Sequence, residues 1–347
     1  MIKAEVVADS LSPQGDRLTS LLVTFPRIIL AEVNTHRMLS KNTASSRAIP
    51  FNKMVETVQN NPFIPIAWQK DHKGMQGNEY IIDLGGYLKG SWLQARDLAV
   101  NQAKLLNSLD CTKQLCNRLL EPFMWTTMLI TGSKEGWNNF FELRCPQYLL
   151  HTFDGEGSNI FKSKKDAIKY SDAYYNGLRV DLLTTQDWLL ANKGQAEIHM
   201  MALAEAIYDS MNESTPDKLE AGEWHIPFNN KIPYEPGIPY DVDRVKISTA
   251  MAARTSYTVV GDEKEINYER MIDLHNRLII QKPLHASPME HCARAMSDVE
   301  YDAYRKGELS VTYTEDKSRQ IPCSLIKPGW CRNFKGFIQY RHILETK

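Results

Sequence analysis

Thr35-His36-Arg37-Met38-Leu39-Ser40-Lys41-Asn42-Thr43-Ala44-Ser45-Ser46-Arg47 is the stretch on which the reading of this chain turns. Its thirteen residues gather a histidine, two arginines, three serines and an asparagine, after an apolar run and shortly before Pro50. Hydroxyls, a carboxamide and guanidiniums are the donors needed to hold a phosphate and a flat heterocycle, and arginine can fork onto an oxyanion. The same residues also suit a polar helix end, where Ser and Asn cap free backbone N–H groups. On residue types alone the two readings stand level.

Upstream, residues 2–9 and 18–26 (A-E-V-V-A-D and T-S-L-L-V-T-F) read as strands joined by the turn Ser12-Pro13-Gln14-Gly15. A helix is expected from Ile28 toward His36. Residues 50–88, with Pro62, Pro65 and Gly74, read as a loose stretch, and helical patterns return near 90–120 and after Gly136. From Gln195 to Met211 the pattern is clearest: Met200, Leu203, Ala204, Ile207 and Met211 share one helical face, and the run stops before Pro216. Residues 226–241 are proline-rich and read as a linker. A second helical block is expected from Val242 to Ile280, with Met271, Leu274 and Leu278 at helical spacing.

Composition bounds what such a chain can do. Its 347 residues could hold about two domains of ~150 residues. Hydrophobic residues at 43% and charged residues at 24% exclude a disordered tail, a collagen and a coiled-coil rod. Lys plus Arg total 41 against 42 Asp plus Glu, a formal net charge of −1, so phosphate recognition is expected to be local and no general nucleic-acid binding is expected. Met1-Ile2-Lys3-Ala4-Glu5 lacks the apolar core of a signal peptide, and the uncharged stretch Pro122–Ser133 falls short of the ~20 residues that span a bilayer. The six cysteines form no C-x-x-C pair, which suggests free thiols in a reducing, cytoplasmic setting.

Other constellations are weaker alone. Arg118 in N-R-L-L-E-P-F precedes an apolar, strand-like run; an isolated arginine is usually a surface charge. Trp137–Arg144 (W-N-N-F-F-E-L-R) sets Asn139 and Arg144 among aromatics, and reads equally well as an amphipathic helix with a snorkelling arginine. His285–His291 (H-A-S-P-M-E-H), followed by Cys292, holds potential metal ligands, but Pro288 breaks the helix that would align them and the spacing fits no familiar zinc pattern. No metal is expected. No glycine-rich dinucleotide loop occurs, and no cysteine sits in a recognisable nucleophile setting.

Together these elements resemble the flavin-dependent thymidylate synthase family, ThyX. Its signature R-H-R-x-x-S-x-N-x-x-S-x-R is matched at every fixed position but the first, where Thr35 stands. The family's Arg shortly before L-P is matched by Arg118, its N-F-x-x-L-R by Asn139–Arg144, and its A-Q-x-E-I approximately by Gly194–Ile198. A-A-R-x-S-Y and H-x-x-P-x-E-H, which usually precede the signature, follow it here at Ala252–Tyr257 and His285–His291. The chain therefore resembles a circularly permuted member, a form associated with bacteriophage proteins. It departs from the pattern at Glu32, where Gln is common, at Thr43, where Glu is frequent, and in a long insertion at 145–194. The C-terminal N-F-K-G-F-I-Q-Y-R-H (Asn333–His342) reads as an extension whose Arg341 could supply the missing guanidinium.

The resemblance implies an α+β fold with an antiparallel sheet and helices. Residues 1–144 and 242–347 would be the two parts of the core, 145–194 an inserted subdomain, 195–225 a core helix and 226–241 the linker. It implies that Ser45, Arg47 and Arg118 hold the phosphate and ribose of a nucleotide, with Glu32 and Ser46 also facing the substrate. Arg144 would lie against the pyrimidine ring, and it and Ser45 would be the catalytic pair. FAD would meet His36, Arg37, Asn139 and His291. Methylenetetrahydrofolate would supply the carbon and NADPH the reducing equivalents. The implied activity is one-carbon transfer to C5 of a deoxypyrimidine monophosphate, by default dUMP to dTMP. Its rivals are hydroxymethylation of dCMP or dUMP on the same scaffold and, from another class, a non-catalytic nucleotide- or partner-binding protein. A homotetramer is implied, in the host cytoplasm if the gene is a phage's. The aromatics of 145–194 (Tyr148, Phe153, Phe161, Tyr170, Tyr174, Tyr175, Trp188) argue for a packed subdomain beside the site that influences substrate or product choice.

Overall fold

A computed structural model of the chain describes residues 1–73, 77, 79–151, 157–175, 188–189, 191–232, 240–257, 267–281, 284–306, 310–313, 320–323 and 334–345. Gly74, Phe153, Asn333 and the side chains of Tyr174 and Tyr175 lie outside these residues. The chain begins with an antiparallel hairpin, β1 (Lys3–Leu11) and β2 (Arg17–Pro26). The expected turn joins them; Gly15 takes φ 85°, a left-handed conformation natural to glycine. β3 (Ser40–Thr43) and β4 (Trp125–Ser133) complete the main sheet in the order β3-β4-β2-β1, and the short strand Asp217–Lys218 adds in parallel to β1. β2 and β4 are central and nearly continuous in burial, as strands covered on both faces must be.

Strand alternation divides the chemistry between the two faces. Leu21, Val23, Phe25, Met128 and Ile130 face one layer of helices: α1 (Leu30–Asn34), then α4 (Lys134–Arg144) and α6 (Ile198–Glu213), which follow α2 (Phe51–Asn60) and α3 (Tyr87–Ser108) in the chain. α4 (Lys134–Arg144) buries Trp137, Phe140 and Phe141 there. It sits close because Gly136 leaves room: a Cβ would stand 3.2 Å from Met38 O and 3.3 Å from a Leu39 methyl. Within 145–194, the hairpin Tyr148–His151/Ser158–Phe161 and α5 (Lys164–Tyr175) pack Tyr148, Ala167 and Trp188 into a small core of their own. This core meets α6 (Ile198–Glu213) through Glu205, which accepts from Lys164 N at 2.7 Å and Tyr148 Oη at 3.2 Å. The five apolar residues expected on one face of α6 are all buried.

The opposite face of the sheet meets α7 (Tyr240–Arg254), on which α8 (Tyr268–Ile280) packs in turn, and a small antiparallel sheet of Trp224–His225, Ala293–Ala295 and Phe337–Gln339. The expected single helical block is thus two helices. The expected C-terminal extension instead supplies a strand paired with Ala293–Ala295, with Phe334 and Phe337 buried. One further difference is α2, inside the stretch read as loose: after Pro50, Phe51, Met54, Val55 and Val58 fall on one helical face and are buried. Among the described residues, no helix is long and apolar enough to cross a membrane.

Between the sheet and the C-terminal layer runs a single file of buried polar side chains. Ser10 Oγ meets His225 Nδ1 at 2.8 Å, His225 Nε2 meets Ser20 Oγ at 2.8 Å, Ser20 Oγ meets Thr131 Oγ1 at 2.6 Å, and Thr131 Oγ1 meets His291 Nδ1 at 2.8 Å. Burial pushes both His225 and His291 down to about 3. Both rings are therefore neutral when folded, whereas unfolded histidines take up protons below about pH 6.5. The unfolded chain binds more protons across that window, so stability is full above it and is lost as pH falls toward 3, with a slope of up to ~1.4 kcal/mol per pH unit for each ring. Urea midpoints measured from about pH 7 down to about pH 4 should fall, and His225→Asn should flatten the slope by about one ring's share; an equally steep slope in that variant would remove His225 as a source.

Candidate functional site

The structure gathers the expected site residues into two clusters joined by β3, and leaves one residue apart. The first cluster lies where α1 meets the end of α4. Arg144 Nε donates to His36 Nε2 at 2.9 Å, and the His36 ring meets Phe140 edge-on with centroids 4.8 Å apart. Burial, then the charges of Arg144 and Lys41, push His36 down to about 4, so it stays neutral and its Nε2 can accept. That bond uses only the inner nitrogen of Arg144. The two outer nitrogens have no partner among the described residues, and the side chain is half-buried.

Glu32 stands four residues before His36, on the same side of the turn, beside this pair. Burial raises its carboxyl above the ordinary range and the charge of Glu197 adds to the shift, while Arg144 and His199 oppose it. Sequence reasoning named neither Glu197 nor His199 as a site residue, although both lie in or beside the Gly194–Ile198 block. Glu197 is the N-cap of α6: it accepts from His199 N at 2.7 Å and Met200 N at 3.0 Å, and its other oxygen meets His199 Nδ1 at 2.5 Å. Ile66 N donates to His199 Nε2 at 3.0 Å, which fixes the ring proton on Nδ1. The signal for this arrangement was a carboxylate just ahead of an apolar helical run.

The second cluster lies beyond the other end of β3. Arg47 and Arg118 are exposed and have no partner among the described residues. Burial lowers the Arg27 guanidinium, against the opposing effect of Glu121, and the nearby charge of Arg118 lowers it further. Ser45 is half-buried, with its amide donating to Ser256 O at 2.9 Å. Ser46 is buried and donates its hydroxyl to Glu121 Oε1 at 2.6 Å. Arg47 and Arg118 stand on segments tied together through Asn117, and Ser46 serves the frame behind them.

The remaining assignments separate. Arg37 and Asn139 are exposed beside His36 and Phe140, so three of the four residues assigned to FAD lie together, with donors open to a polar ligand. The fourth, His291, is 0% exposed and bonded to Thr131, on the opposite face of the sheet from His36. Its Nε2 has no partner among the described residues. Thr35 is exposed and donates its hydroxyl to Glu32 O at 2.6 Å, closing α1. Arg341, expected to replace a missing guanidinium, is held by Glu290 and Glu345 at 2.5 and 2.8 Å. Among the described residues, no group of three or more His, Cys, Asp or Glu could hold a metal ion.

No family model matches the chain. No curated protein matches it. Solved structures give distant, partial likenesses. A UMP/dUMP methylase PolB from Streptomyces cacaoi, bound with 5-Br dUMP, is 13% identical over 57% of this chain and 67% of that one, with a TM-score of 0.36. The flavin-dependent thymidylate synthase ThyX from Helicobacter pylori, complexed with FAD and dUMP, is 14% identical over 50% of this chain and 72% of that one, with a TM-score of 0.24.

The acidic half of the first cluster can be tested directly. Glu197→Ala removes a helix cap and should cost about 1 kcal/mol or more of stability, read by urea denaturation. Glu197→Gln removes the charge that helps to raise the Glu32 carboxyl, so carbon-detected NMR titration should show Glu32 titrating at lower pH. An unmoved Glu32 would separate the two carboxylates.

Proposed function

We propose that the chain catalyses flavin- and methylenetetrahydrofolate-dependent one-carbon transfer to C5 of a deoxypyrimidine monophosphate, with methylation of dUMP to dTMP as the default reaction. The observation that carries this reading is the placement of a half-free arginine and a carboxyl at one end of β3 and of two free arginines at the other. A planar ring with polar edges suits the first end. A phosphomonoester, with a charge of about −2 near neutral pH, suits the second.

On this reading Arg47 and Arg118 bind the phosphate. Arg144, held in place by His36, meets the pyrimidine ring, where a fixed guanidinium stabilises the negative charge that develops as C5 becomes nucleophilic. Neutral His36 keeps that guanidinium oriented without competing for its charge. His36, Arg37 and Asn139 would line the flavin's side of the cluster. The flavin supplies the hydride and the folate the carbon when bound, with NADPH reducing the flavin, so the chain itself need provide no cysteine nucleophile. Packing of Ala252–Tyr257 and His285–His291 against β3, through Ser45, Asn42 and Ser287, supports the permuted arrangement. The segment 145–194 begins directly after Arg144 and packs on the α6 that Glu197 caps, which supports a role for it in substrate or product choice. The assembly we take to be a homotetramer, measurable by light scattering.

Mass spectrometry of products from dUMP and dCMP, each incubated with methylenetetrahydrofolate, FAD and NADPH, tests the reaction and separates a methyl from a hydroxymethyl product. No product from either nucleotide, with a colourless protein, would defeat the reading. Arg47→Ala and Arg118→Ala should each weaken nucleotide binding by about 1.5–3 kcal/mol while leaving flavin content unchanged; calorimetric titration with dUMP and dCMP reads the first, and absorbance the second. Unchanged nucleotide affinity in both variants would remove these arginines from the site.

A further inference from the structure

The free arginines of the second cluster stand on a frame that itself has no direct part in holding a ligand. Asn117 opens the turn Asn117–Phe123 and is wholly buried; its carboxamide nitrogen donates to Ser46 O at 2.7 Å and to Ile49 O at 3.0 Å. Four residues on, Glu121 Oε1 accepts from Ser46 Oγ at 2.6 Å and from Arg27 Nη2 at 3.4 Å. Arg27 Nη1 in turn donates to Ala44 O at 2.8 Å. The main chain is thus gripped before Ser45 and after Arg47, at Ala44, Ser46 and Ile49. The grip comes from the turn that also carries Arg118.

Asn117 bears a cost in this position. Its own Oδ1 is buried and has no partner among the described residues, and an unmet buried acceptor is unfavourable. An apolar side chain would avoid that cost but would abandon two backbone carbonyls. What the carboxamide secures is the path of the chain through Arg47, next to the residue that follows Asn117 itself. Arg47 and Arg118 stand on segments that Asn117 ties together, and each long side chain has many alternative rotamers. A site for a doubly charged anion is stronger when the main chain under both is already fixed, because binding then has less ordering to do.

We propose that Asn117 and Glu121 are positioning residues that fix the Ser45–Arg47 segment against Arg118 as a preformed seat for a phosphomonoester. The inference rests on the reading that this end of β3 takes the nucleotide phosphate. It goes beyond that reading by assigning the phosphate's share of affinity to side chains that never touch the phosphate.

The test compares ligands that differ only in the phosphate. The flavin-loaded protein is titrated calorimetrically with dUMP against deoxyuridine and with dCMP against deoxycytidine, in the natural chain and in Asn117→Ala, Ser46→Ala and Glu121→Gln. Asn117→Ala and Ser46→Ala should weaken nucleotide binding about ten-fold or more while the nucleosides shift less than about two-fold. Glu121→Gln keeps an acceptor for the Ser46 hydroxyl and should retain most of the affinity. Ser46→Ala, which cuts a single bond of the frame, keeps the test open if Asn117→Ala does not fold. Equal weakening of nucleotide and nucleoside, or unchanged nucleotide affinity in Ser46→Ala, would overturn the positioning role. A natural chain that binds nucleotide no better than nucleoside would instead overturn the phosphate reading, and the positioning role with it.

Discussion

The carboxamide of Asn42 holds together three parts of the chain that are far apart in sequence. It is buried on β3, donates to Ala252 O and accepts from Ser287 Oγ at 3.1 Å. Its neighbours fasten the strand further. On the same face Ser40 Oγ accepts from Gln339 Nε2 at 3.2 Å, and on the opposite face Lys41 donates to the carbonyls of His36 and Val33. β3 has only four residues and lies at the edge of its sheet, a position where strands are usually the least constrained. Side-chain bonds on both faces make this one a rigid spacer. β3, together with the short turns on either side of it, sets the separation of His36 from Arg47.

The two clusters differ in charge as well as in place. Glu32 and Glu197 stand with Arg144 at one end, and Arg47 and Arg118 stand at the other with no partner among the described residues. A formal net charge of −1 gives an anion no overall attraction to the chain, so on the reading proposed above orientation comes from this local contrast. On the same reading, a ligand with a strongly anionic end and a weakly polar end has one favourable direction along β3. Burial and the charge of Glu197 raise the Glu32 carboxyl at the first of these ends, against the opposing charge of Arg144.

Much of this was legible in the sequence, and the exceptions have physical causes. The β1–β2 hairpin and the buried face of α6 follow from periodicity, which is local. α2 was missed because the prolines around it suggest loop, although Pro50 stands immediately before the helix, where it breaks no helical hydrogen bond. The Thr35–Arg47 stretch displays its donors by type, but residue type does not say which donors the fold consumes. Ser46 is used by Glu121, Arg341 by two carboxylates and Thr35 by its own helix, whereas Arg37, Arg47, Arg118 and Asn139 have no partner among the described residues. The cap made by Glu197 was visible as a pattern. Its partnership with His199 and its effect on Glu32 depend on tertiary contacts that no spacing reveals.

His291 shows the limit of carrying a role over from a motif. Its neighbours in sequence, Ser287 and Glu290, bond to Asn42 and Arg341 near β3, while its own ring turns inward to end the file Ser10–His225–Ser20–Thr131–His291. That file joins both central strands to the C-terminal layer, and every member is a hydroxyl or a neutral imidazole. A protonated ring would place an unpaired charge among groups that burial already holds neutral, so the layer is well bonded only while both histidines stay uncharged. The same layer delivers Ala252 and Ser287 to Asn42. Such bonds depend on which groups arrive in space and not on the order in which the chain brings them, and they form only if the layer docks. The buried histidines therefore act on the site at a distance: they secure the layer that secures β3, and β3 with its flanking turns sets the gap between His36 and Arg47.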